Sequence, residues 1–187
     1  EVISPDLTLN DKSRQGDSGG MTTDNLMTFD GSVLYALAES PVEPGLLWSG
    51  SNDGKIHLSR DGGESWELVL HVSDDAGCVD LAMDPSDPEV VYAGMYARLR
   101  KAWGFNGGGP NGGIYKTTDG GDSWTMLENG LPGGMLGRIG IDVYHRNPNI
   151  LYATGDGSVL KTFDSFVKAE TSYVASHPVM ERARDDL

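Results

Sequence analysis

Ser59-Arg60-Asp61-Gly62-Gly63-Glu64-Ser65-Trp66 and Thr117-Thr118-Asp119-Gly120-Gly121-Asp122-Ser123-Trp124 are one phrase written twice. Each follows a short run of alternating character, Lys55-Ile56-His57-Leu58-Ser59 and Ile114-Tyr115-Lys116-Thr117. Alternation at period two marks a half-buried antiparallel strand. The phrase itself reads as a turn. An aspartate accepts hydrogen bonds from the amides of its own turn, and glycines supply positive φ. The tryptophan that closes the phrase buries a large apolar area against a neighbouring strand. A weaker third copy, Thr162-Phe163-Asp164-Ser165-Phe166, follows a third alternating run from Ser158 to Thr162. The next strands are expected at Trp66 to Leu70 and Trp124 to Leu127.

A second phrase recurs upstream of each turn. Pro44-Gly45-Leu46-Leu47-Trp48-Ser49, Pro88-Glu89-Val90-Val91-Tyr92-Ala93 and Pro148-Asn149-Ile150-Leu151-Tyr152-Ala153 share one pattern. It runs proline, any residue, two aliphatics, an aromatic and a small residue, as a turn feeding a short buried strand does. Further strands are expected before each copy, at Val33 to Ala38, Cys78 to Met83 and Arg138 to Val143. One unit then holds four short antiparallel strands. Such units at a spacing near that of Pro44 and Pro88 read as the blades of a β-propeller. The expected fold is all-β, with about three blades in an incomplete or open propeller. The expected boundaries are 31–72, 73–130 and 131–172, after an irregular segment 1–30 and before a tail or short helix at 173–187. The middle unit carries an insertion from Tyr96 to Asn111, read as a loop.

Composition supports this and narrows function. Glycine supplies 26 of 187 residues, about twice the usual share, which favours tight turns over long helices. The net charge of −14 argues against nucleic acid as a partner. No window reaches the ~18 apolar residues of a membrane span. A single cysteine, Cys78, allows no internal disulfide. The chain opens at Glu1 rather than methionine, so a processed chain or a fragment is expected.

Ser/Thr-x-Asp-x-Gly-x-x-Trp resembles the Asp-box, or BNR repeat, carried here by Ser59, Asp61, Gly63 and Trp66 and by Thr117, Asp119, Gly121 and Trp124. The chain also resembles bacterial sortilin-like propellers often labelled glycosyl hydrolases. That resemblance spans about residues 3–155. It rests on Ser4-Pro5-Asp6-Leu7-Thr8, Gly45-Leu46-Leu47-Trp48, Asp53-Gly54, Asp74-Asp75-Ala76-Gly77, Asp80-Leu81-Ala82-Met83-Asp84-Pro85, Gly107-Gly108-Gly109-Pro110, Gly130-Leu131-Pro132 and Gly137-Arg138-Ile139-Gly140. It implies an extracellular or periplasmic propeller module that binds a glycan or a protein without catalysis. A glycoside hydrolase acting on polysaccharide is the alternative it implies. In the family the Asp74-type segment generally precedes the Ser4-type segment; here it follows, with a seam near Trp66 to His71.

Site residues follow from chemistry. The aspartate-turn residues are expected to be structural staples. The insertion gathers Arg98, Arg100, Lys101, Trp103 and Phe105. Aromatic faces stack on sugars and arginines clamp carboxylates, so Arg98, Arg100, Trp103 and Phe105 are the candidate ligand contacts. A glycosidase needs two carboxylates at a defined separation. Asp74, Asp75, Asp80, Asp84 and Asp142 are available, but no pair stands out, so catalytic residues stay unassigned. The histidines show no metal spacing, and no metal or cofactor is expected. Apolar blade faces left uncovered would favour self-association.

Overall fold

The computed structural model describes residues 4–14, 32–101, 104–128, 131 and 134–157. Four strands, β1 (Leu34–Glu39), β2 (Leu47–Ser51), β3 (Lys55–Ser59) and β4 (Glu67–His71), form one antiparallel sheet in the order β1-β2-β3-β4. The chain continues into β5 (Ala76–Met83) and β6 (Val91–Ala97). After a small hairpin, β7 (Leu99–Lys101) with β8 (Gly104–Asn106), it returns as β9 (Gly113–Thr117) and β10 (Thr125–Met126). The second sheet has the order β10-β9-β6-β5, which again follows the chain from one edge to the other. β11 (Leu136–Val143) and β12 (Leu151–Gly157) pair as the first two strands of a third unit.

Up-and-down four-stranded sheets stacked face to face are propeller blades, and the fold is all-β as expected. Among the described residues no helix is long and apolar enough to cross a membrane. The third alternating run, the third aspartate turn and the tail at 173–187 lie outside the described residues.

Alternation decides which residues join the sheets. Trp48, Ile56 and Leu58 face the second sheet, where they meet Cys78, Val91, Ala93 and Met95 in one buried cluster. Tyr92 and Ile114 leave the opposite face of the second sheet and meet Ile139, Ile141 and Val143. Close approach needs a missing side chain at Gly50, where an added Cβ would lie 2.5 Å from Cys78 Sγ. The inner strand of each unit carries a register shift near its start, between Leu34 and Ala36, Cys78 and Asp80, and Leu136 and Ile139. Bulges of this kind bend a strand and increase its twist.

The two repeated phrases are tied within each blade. Gly62 N donates to Gly45 O at 2.9 Å, and Gly120 N donates to Glu89 O at 3.0 Å. Gly45 and Glu89 each follow the proline of their unit, so each aspartate turn closes on the turn that feeds the second strand.

One expectation is corrected. The insertion is a β-hairpin rather than an irregular loop, with Leu99 opposite Asn106, Arg100 opposite Phe105 and Lys101 opposite Gly104. Only two residues separate its strands, the commonest hairpin connection. The backbone that leaves the sheet edge at Ala97 therefore pairs with itself.

Candidate functional site

The aspartate turns sit between the third and fourth strands of their sheets and have the same internal bonding. Asp61 Oδ1 accepts from Ser65 N at 2.9 Å and Ser59 Oγ at 2.8 Å, and Oδ2 accepts from Ser65 Oγ at 2.5 Å. Asp119 repeats this with Ser123 N at 2.9 Å, Thr117 Oγ1 at 2.7 Å and Ser123 Oγ at 2.5 Å. Ser59 Oγ in turn accepts from Gly63 N at 2.8 Å, and Thr117 Oγ1 from Gly121 N at 3.0 Å. These glycines have φ of 95° and 96°, the left-handed region where a side chain is strained. Donation from Ser65, then from Ser59, draws the Asp61 carboxyl down to about 2. Ser123 and then Thr117 lower Asp119 in the same way. A carboxylate held ionised by three donors suits a staple, not a proton donor.

The tryptophans differ in surroundings. Trp124 packs into the junction of the first two sheets, edge to face with Trp48 at 5.9 Å and 80°. Trp66 donates its indole N–H to Gly63 O at 3.0 Å within its own turn. Arg60 reaches from the first turn to Gly120 O of the second at 3.2 Å, joining neighbouring blades at their outer side.

The remaining carboxylates are largely committed to backbone. Asp80 accepts from Leu81 N at 3.0 Å and, across the sheet junction, from Ile141 N at 2.8 Å. Asp84 is 9% exposed and accepts from Ser86 N at 2.8 Å, Ser86 Oγ at 2.7 Å and Asp87 N at 3.2 Å. Asp74 pairs with His71 Nε2 at 2.9 Å. Asp142 lies exposed on β11. Asp74, Asp75, Asp80 and Asp84 are close in sequence, yet the first pairs with a histidine, Asp80 ties two sheets and Asp84 caps a turn. Among the described residues no group of three His, Cys, Asp or Glu side chains could hold a metal ion.

The insertion hairpin is the remaining candidate. Arg98 is half-buried at its root, and Arg100 is in backbone register with Phe105. Trp103 lies outside the described residues. The root is seated by Gly107, Gly108 and Gly109, all buried. A Cβ on Gly108 would lie 2.9 Å from Leu136 O, and one on Gly109 would lie 2.7 Å from Ala97 Cβ. The glycine run thus lets the returning backbone pass between β6 and the start of β11. That places the hairpin where the second and third units meet.

Two features escaped the sequence reading. Asp53 is 6% exposed and accepts from Leu9 N at 2.7 Å and from Ser51 Oγ. Lys55 Nζ donates to Thr8 O at 3.0 Å. The buried Leu7 immediately precedes these contacts in sequence. Asp6-Leu7-Thr8-Leu9 alternates over only four residues, so the apolar pair at Leu7 and Leu9 was the one available signal of docking.

Fold and site together define a β-propeller module with a hairpin set at the junction of two blades. No family model matches the chain. Over 95 residues, 49% of the chain, it is 30% identical to the oligoxyloglucan-reducing end-specific xyloglucanase of Emericella nidulans. It is 29% identical, over the same length, to a probable enzyme of that name in Neosartorya fischeri. The chain spans 10% of the length of each. Among solved structures it is similar to the GH74 enzyme of Niastella koreensis, at TM-score 0.44 and 22% identity, covering 66% of this chain and 19% of that one. YCF48 from Cyanidioschyzon merolae gives a TM-score of 0.43 and 19% identity, covering 67% and 34%.

Proposed function

We propose that this chain is a non-catalytic, glycan-binding β-propeller module of the Asp-box, sortilin-like kind, working outside the cytoplasm, with Arg98, Arg100, Trp103 and Phe105 as its contacts. The observation that carries the non-catalytic part is the use of carboxylates. Asp61, Asp80, Asp84 and Asp119 each accept two or more hydrogen bonds, from backbone amides and from neighbouring hydroxyls. A general acid needs a raised pKa and room to donate, whereas Asp61 and Asp119 are pulled the other way. The glycan part is supported by cations and aromatics on a hairpin seated by glycines, since recognition residues favour projections from a rigid scaffold. A protein ligand would use the same residues.

A second reading, a glycoside hydrolase acting on polysaccharide, is favoured by the similarity to oligoxyloglucan-specific enzymes. A glycan array run beside a reducing-end release assay on xyloglucan oligosaccharides and β-glucans separates the two. Binding without release supports the first reading. Release that is lost in Asp142→Asn would establish the second.

A further inference from the structure

We propose that residues 4–14 form a strap that caps the outer face of the first sheet, latched by Asp53 and Lys55. The inference is independent of the ligand and begins with alternation along β2. Trp48 and Gly50 face the second sheet. Ser49 and Ser51 therefore point to the opposite side, where no strand of the described residues packs. Both are nonetheless 0% exposed, and Asp53 is 6% exposed. Segment 4–14 is hydrogen-bonded to the residues at the end of this row. Leu9 N donates to Asp53 Oδ2 at 2.7 Å, and Lys55 Nζ donates to Thr8 O at 3.0 Å. Between Asp6 and Thr8, Asp6 Oδ1 accepts from Thr8 N at 3.0 Å and Thr8 Oγ1 at 2.6 Å, forming a turn around Leu7. Leu7 is 4% exposed.

The internal repeat shows what the strap stands in for. One unit later, a Cβ on Gly121 would meet Trp48 at 3.0 Å and Val69 at 3.1 Å, both from the preceding sheet. At the equivalent Gly63 the nearest atoms are those of Trp66 and Leu47 of its own sheet, at 3.6 and 3.7 Å. A single segment is narrower than a sheet, so Leu34 and Leu37 stay 45% and 72% exposed at the margin. Their counterparts in the second sheet, Cys78 and Leu81, pack against the first. The strap thus engages, at the Asp53–Lys55 end, a face whose equivalent in the second sheet is covered by a whole blade.

Leu9→Pro tests this, because it deletes the N–H that Asp53 accepts and leaves every blade residue intact. The readouts are trypsin cleavage after Lys12, hydrophobic-dye fluorescence and far-UV circular dichroism, with Asp53→Ala as a second variant. Cleavage should rise about tenfold or more, as expected when one charge-assisted hydrogen bond no longer holds the closed form. Dye fluorescence should rise with it while the β signal is kept. Cleavage unchanged in both variants would overturn the latch. Faster cleavage with no gain in dye binding would overturn the cap, since release would then uncover neither the buried Leu7 nor apolar surface beneath it.

Discussion

At Asp61 the sign of the pH effect follows from the hydrogen bonds it accepts. Its carboxyl falls from the usual 3.8 to about 2 in the folded chain. A depressed carboxylate contributes stability that is present above the unfolded value and is lost as pH falls through the folded one. Melting temperature should therefore fall from about pH 4 toward about pH 2, and Asp61→Asn should flatten part of that decline. Carboxyl NMR titration reads the same group directly. Asp119→Ala should lower the melting temperature while the surviving folded fraction keeps its ligand affinity. If melting stays put and binding disappears, the staple reading fails. Asp80→Ala should cost about 1–2 kcal/mol in denaturant unfolding, because Ile141 N loses a charged acceptor at the sheet junction. The turns were legible because every partner of Asp61 lies within four residues of it. The Asp80–Ile141 bond spans 61 residues, and such a pairing exists only once two sheets have been stacked.

At the scale of elements, legibility followed periodicity. Lys55–Ser59 alternates cleanly, and its strand has the expected bounds. β10 is only two residues long, shorter than the run expected from Trp124 to Leu127, although Leu127 N donates to Ile114 O at 2.8 Å one step further along the same register. The insertion hid its hairpin because Leu99 to Asn106 has charges where alternation would need apolar residues. The proposed ligand contacts fall within this insertion. Trp103→Ala should then weaken glycan binding by more than about 1 kcal/mol with little change in melting temperature. A large fall in melting temperature with binding intact would make Trp103 a packing plug. Gly108→Ala tests the seat: it should shift the hairpin against Leu136 and cost about 1–3 kcal/mol, with binding reduced alongside.

Among the described residues, the apolar packing falls into two junctions, the first between sheets one and two, the second between sheet two and the β11–β12 pair. Repeats that touch only their neighbours have stability that adds junction by junction. Gly50→Ala should weaken the first junction by about 1–3 kcal/mol through overpacking, and adding Cys78→Gly should restore part of that loss. The same junction holds the chain's only thiol. Cys78 is 0% exposed beside Gly50 and Ala36, and burial pushes its pKa up to about 12. A thiol reagent at neutral pH can reach it only in the moments when the two sheets part, because the thiolate is the reactive form and the packed site excludes it. The rate of labelling is therefore a clock for blade separation, native to the sequence and free of any added probe.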